Sequence, residues 1–133
     1  VASGGGYVGI YFMPFLTRGR NATAEDVVAH VEHALSVCGT DHVGIGTDGS
    51  FTAVDDMRSY LGDLAKSVAA RKAAGISAPG ERPDIVPFVP ELSGPGQFRT
   101  LADRLSARGH PDSTIEKVLG LNFLDFAQRV WGG

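Results

Sequence analysis

The sequence contains one cysteine, Cys38, so no disulfide can form within the chain. A lone thiol leaves the redox compartment open. Cys38 falls on the apolar face of an expected helix, where a buried structural thiol is expected rather than a reactive one. Cationic excess is also missing. Twelve Lys and Arg against 15 Asp and Glu give a net charge of -3, and no basic stripe is present, so nothing points to nucleic acid. No run of 18 apolar residues occurs, and no transmembrane helix is expected. The HExxH, GxSxG and P-loop motifs are all absent. Gly4-Gly5-Gly6 precedes an apolar strand instead of following one, which excludes a phosphate cradle. No internal repeat or low-complexity tract is evident. The chain opens on Val1 with no basic-then-apolar signal pattern. That opening reads as a piece of a longer protein, with a processed small protein carrying a flexible lead as the alternative.

What is present is globular. The 133 residues are 43% hydrophobic and 20% charged, as in one ordinary domain. Tyr7 to Phe12 is a continuous apolar run, the pattern of a strand buried on both faces, and Pro14 ends it. Thr23 suits a helix N-cap, with Glu25 and Asp26 in the first turn. Val27, Val28, Val31, Ala34, Leu35 and Cys38 make one stripe, and Gly39 stops the helix. His42 to Gly46 is a second buried strand, running into Thr47-Asp48-Gly49-Ser50. Residues 1–50 are therefore expected to form strand, helix and parallel strand.

Residues 51–133 are expected to be largely helical. A long helix is predicted over 54–74, striped by Met57, Tyr60, Leu61, Leu64 and Val68. Residues 76–96 carry five prolines and three glycines, an irregular connection longer than a compact domain usually spends without purpose. Phe98, Leu101, Ala102 and Leu105 stripe another helix, which stops at Gly109. Pro111 suits a helix start, and Asn122 suits the cap of a last turn carrying Phe123, Leu124, Ala127, Val130 and Trp131. Two doubly buried parallel strands need neighbours. The last two strands of a (β/α)₈ barrel fit this α/β pattern, and so does a doubly wound sheet. Either is incomplete within these residues.

Asp48 is the first candidate for chemistry. It follows an apolar strand directly, at the end where parallel α/β proteins place their sites. Glycines on both sides allow close approach, and a carboxylate there can accept a proton, orient a water or bind an ammonium group. Asp-Gly is equally a common turn pair. His30 and His33 share i, i+3 spacing, but His33 points nearly opposite the apolar stripe and no third ligand is nearby, so both are expected on the solvated surface. His42 sits at the far end of its strand from the expected site and reads as structural. His110 lies in a turn before Pro111 and is expected to be inert. Trp131 reads as packing.

Three segments resemble one family. Gly6–Leu16, Asp41–Gly49 (DHVGIGTDG) and Ile115–Leu124 (IEKVLGLNFL) resemble the seventh strand, eighth strand and terminal helix of the renal, or membrane, dipeptidases. Val27 to Ala34 resembles the helix between the two strands. Order and spacing agree across nearly the whole chain. The resemblance implies a (β/α)₈ barrel of the amidohydrolase superfamily, two zinc ions, and hydrolysis of dipeptides or related small amides. It implies that Asp48 matches the aspartate that binds substrate and transfers a proton, and that Phe15 matches the aromatic wall of the substrate pocket. The zinc ligands and the substrate-carboxylate arginine belong to earlier strands, so metal ligands here are none and the remaining N-terminal part of the barrel is the implied partner. A homo-oligomer stays open. Three departures mark a divergent branch: the motif's second aspartate is replaced by Gly49-Ser50, Gly120-Leu121-Asn122 stands for GGN, and Thr52 to Pro95 is long. The proline-rich connection is expected to reach over the barrel mouth. Two other readings are a non-catalytic homologue or fragment used in binding or assembly, and an unrelated small α/β binding domain.

Overall fold

The computed structural model describes residues 1–49 and 51–132; Ser50, expected at the end of the second strand's turn, lies outside the described residues. The architecture is mixed α/β, two parallel strands with helices. Strand β1 spans Val8–Ile10 and β2 spans Val43–Ile45, in parallel register Val8↔Val43, Gly9↔Gly44 and Ile10↔Ile45. The apolar runs predict strands over 7–12 and 42–46, and only the middle of each is regular. Backbone pairing still runs on past the regular part, with Gly46 N donating to Ile10 O at 3.1 Å and Phe12 N to Thr47 O at 3.2 Å.

Helix α1, Ala24–Cys38, makes the crossover that a parallel pair requires. Its start is a capping box: Thr23 Oγ1 accepts from Asp26 N, and the Asp26 carboxylate accepts from Thr23 N at 2.8 Å. Gly39 ends it with φ 80°. Its stripe Val27, Val28 and Val31 is fully buried and shares one core with Phe12, Val89, Leu92, Leu101, Leu105, Ile115 and Val118. Two burial expectations are corrected. Cys38, at the helix's last turn, is half-buried and not enclosed. Strand β1 is not buried on both faces, since Gly9 is exposed and Val8 and Ile10 are half-buried, whereas in β2 the adjacent Val43 and Gly44 are both buried. Among the described residues the sheet has two strands, so each keeps one unpaired edge.

Helix α2 spans Met57–Ala73 and starts later than the predicted residue 54, because the Asp56 carboxylate caps it by accepting from Arg58 N and Ser59 N at 3.0 and 3.1 Å. Of its expected stripe only Val68 is buried. Helix α3 runs Gln97–Ala107. Helix α4, Asp112–Glu116, passes through a π-helical turn at Lys117–Leu121 into α5, Asn122–Trp131. Here too an expectation is corrected. The Asn122 side chain caps nothing; it is buried and its Nδ2 donates to Thr40 O at 2.7 Å and Val43 O at 2.8 Å, clamping the helix to the start of β2. Tyr7 packs between this helix and the sheet, with ring centroids 5.6 Å from Phe123 and 6.0 Å from Phe126.

The proline-rich connection is strapped down. Asn21 accepts from Val86 N at 2.8 Å and donates to Asp84 O at 3.1 Å. Val89 N donates to Phe12 O at 3.1 Å, and Glu91 accepts from Ala24 N at 2.5 Å. Val86, Val89 and Leu92 are buried beneath it. A segment this rich in proline cannot satisfy its backbone through helix or sheet, so side chains and strand ends do so instead.

Candidate functional site

The carboxyl ends of the two strands come together where Phe12 pairs with Thr47, and Asp48 follows at once. Asp48 has φ 51°, the only positive value at a non-glycine residue among the described residues. Aspartate tolerates this left-handed geometry better than most residues, and such backbone outliers collect at functional sites. The geometry lifts the carboxylate into an exposed position at the rim of a cavity of about 240 Å³.

Several elements build the cavity. Phe12 and Asp48 come from the strand ends, Tyr60 from α2, and Phe88, Leu92 and Ser93 from the proline-rich connection. Tyr60 and Phe88 meet edge to face at 5.5 Å, so α2 and the connection form one wall. The connection meets the strand ends through two contacts, the Val89–Phe12 hydrogen bond and this shared lining.

Gln97, the first residue of α3, also lines the cavity. It is 1% exposed, and its Nε2 has no hydrogen-bond partner among the described residues. No side chain caps the α3 N-terminus beside it. The sequence does carry a signal for Gln97: it stands at i, i+4, i+8 with Leu101 and Leu105, a polar residue on the buried face of its helix. The same signal marks Asn122, at i, i+3, i+7 from Ile115 and Val118.

Phe15 lies in a one-turn 3₁₀ helix, Pro14–Leu16, just beyond β1. The residue is 79% exposed, and it does not line the cavity that holds Asp48. His30 is exposed, and its Nε2 donates to Leu16 O at 3.0 Å, holding that turn against α1. His33 is exposed. The His42 Nδ1 donates to Gly6 O at 2.9 Å, a structural tie at the far end of the sheet. His110 stands 3.2 Å from Glu32. Among the described residues no three His, Cys, Asp or Glu side chains gather closely enough to hold a metal ion.

With this geometry in view, the relatives decide the family. Residues 1–72 match the family model of the membrane dipeptidases, Peptidase family M19. The chain belongs to the membrane dipeptidase family. The match takes in both strands, α1 and Asp48. A search of curated proteins returned no match. Among solved structures, the chain is similar to an amidohydrolase from Pseudomonas aeruginosa, with 27% identity and a TM-score of 0.69 over 99% of this chain. That match also takes in the proline-rich connection and the terminal helices, beyond the residues the dipeptidase model covers. The chain spans 38% of the length of that structure. Hydrolase kinship is thus shared by both comparisons. No described helix is long and apolar enough to cross a membrane.

Proposed function

We propose that residues 1–133 form the closing segment of a (β/α)₈ barrel hydrolase that cleaves the peptide bond of dipeptides, with β1 and β2 as its seventh and eighth strands. One observation carries the reading: Asp48, held in a left-handed turn at the carboxyl end of β2, rims a cavity in a chain of the dipeptidase family. Parallel barrels do their chemistry at this end.

In this proposal a water oxygen bonds to the scissile carbonyl carbon while Asp48 takes one of its protons. The carbon–nitrogen bond then breaks, and Asp48 passes that proton to the departing amine. Phe15, exposed on the turn after β1, is assigned as an outer wall that meets substrate as it enters. The two zinc ions that family resemblance implies find no ligand group among the described residues. Their ligands are assigned to earlier strands of the barrel, and this segment alone is proposed to be inactive. A second reading is a non-catalytic homologue or fragment serving in binding or assembly.

Asp48→Asn in the complete protein separates the two. Asparagine tolerates the same backbone geometry, so the change tests the carboxylate alone. kcat for a dipeptide should fall about 10²- to 10⁴-fold, with metal content unchanged. Full kcat retained by this variant overturns the assignment. An unaltered complete protein that turns over no dipeptide supports the binding role.

A further inference from the structure

Gln97 lines the cavity, and its amide takes no part in the chemistry proposed above. Its position is unusual on two independent counts. The residue is 1% exposed, yet its Nε2 has no acceptor among the described residues. A buried amide donor without a partner costs about 1–3 kcal/mol, and native structures keep few of them without a reason. The second count is its setting. Gln97 opens α3, an 11-residue helix whose N-terminus no side chain caps, and the residue lines the Asp48 cavity. The partial positive charge of a helix start adds to the pull on an oxygen placed there.

We propose that Gln97 is a specificity residue, donating a hydrogen bond from Nε2 to an uncharged carbonyl oxygen on a substrate side chain, as in a glutamine or asparagine residue. The inference rests on the dipeptide-hydrolase reading and names the substrates it would favour.

The other lining groups set the charge of that oxygen. Phe12, Tyr60, Phe88 and Leu92 give a largely apolar wall to which Thr52 and Ser93 add hydroxyls, and among the described residues no Lys or Arg lines the cavity. The lining's one ionisable carboxylate is Asp48. A substrate carboxylate in the cavity would share a largely apolar lining with the Asp48 carboxylate and find no cationic side chain among the described lining residues, which is unfavourable. A side-chain amide brings the needed acceptor without the charge. A volume of about 240 Å³ accommodates one amino-acid side chain but not a bulky ligand. Sites built around a buried donor reject analogues that lack the acceptor, because the donor is then left unpaired.

The test uses the complete protein and three dipeptides differing only in one side chain: glycyl-glutamine, glycyl-glutamate and glycyl-methionine. Methionine matches glutamine in length but offers no strong acceptor. Binding is measured by calorimetry and turnover by kcat/KM, for the unaltered protein and for Gln97→Met. The unaltered protein should favour the glutamine dipeptide over the methionine one by about 10-fold or more. Gln97→Met should abolish that ratio while changing handling of the methionine dipeptide little. Equal loss for all three dipeptides marks a merely structural role and overturns the proposal, as does an unchanged ratio. Preference for the glutamate dipeptide overturns the assignment of an uncharged oxygen. Should Gln97→Met fail to fold, the unaltered protein decides by itself, since no preference for glutamine over methionine overturns the inference. The calorimetric arm keeps the two readings apart. A glutamine preference in binding without turnover defeats the hydrolase and keeps the subsite; turnover without preference does the reverse.

Discussion

Asp48 and Gln97 reach the same cavity from opposite chemical starting points, one an exposed carboxylate at a strand end and the other a buried amide at a helix start. Asp48 was legible in sequence because an apolar strand, an aspartate and a glycine occur in direct succession. Gln97 was missed because the apolar stripe of its helix begins at Phe98 and a polar residue is not counted in such a stripe, although its spacing with Leu101 and Leu105 puts it on the buried face. Asn122 was misread for a related reason: asparagine beside a helix boundary suggests a cap, whereas here the π turn carries its side chain to the start of β2. Replacing Asn122 with alanine removes the donor to two backbone carbonyls, one bond fully buried. It should cost about 1–3 kcal/mol in denaturant unfolding of the complete protein, with loss centred where α5 meets the sheet. Gly44 offers a second residue-level test. A Cβ there would collide with the Tyr7 phenol, whose hydroxyl donates to Ile45 O at 3.1 Å. Gly44→Ala should destabilise by about 1–3 kcal/mol, and the penalty should shrink in a Tyr7→Leu background, read as non-additivity in a double-mutant cycle.

Among the elements, α1 was the most readable, since its cap, stripe and glycine stop agree with each other. The strands were less so. Their apolar runs fixed their place but not their length, because length depends on how far pairing stays regular. Invisible in the pattern were the ties between distant elements. Arg20 grips Asp26 with two bonds of 2.7 Å, and Arg108 grips Glu32 from the end of α3. The Arg20 hydrogen bonds hold the Asp26 carboxyl well below the usual carboxylate range, and those from Arg108, then His110, pull Glu32 the same way. A carboxylate whose folded pKa is depressed contributes stability that is complete above its unfolded value of about 4. That contribution disappears as pH falls through the lower folded value. The melting temperature should therefore drop on acidification below about pH 4. Asp26→Asn should lower it at neutral pH and flatten the acid slope. A slope unchanged by that variant would show that Asp26 is not linked to folding.

For the whole molecule, the sequence pattern leads to the expectation of further neighbours for the two strands. Both strands keep an unpaired edge, and Phe123, Leu124 and Trp131 on α5 are about half or more exposed. Exposed apolar surface and open edges favour association over a solitary fold. The 133-residue chain made alone should aggregate, or fold only when supplied with the preceding part of the barrel. Size-exclusion chromatography with thermal melting checks this. A monomer melting in one cooperative two-state step would contradict the barrel-segment reading and favour a self-sufficient small domain. The choice between barrel and doubly wound sheet could not be made from two strands, since both architectures share this unit.

The stretch between Asp48 and Asp84 leaves the sheet and is held at two fixed points. One is the strand end at Asp48, and the other is the pair of bonds by which Asn21 holds Asp84 and Val86. Helix α2, suspended between them, buries only Val68. Closing a longer excursion costs little, about 0.6 kcal/mol for each doubling of length. This is therefore where the fold can accept insertions, deletions or a replacement helix with least harm. Because Tyr60 rides on that helix, each such exchange would remodel one side of the cavity while leaving Asp48 and Gln97 in place.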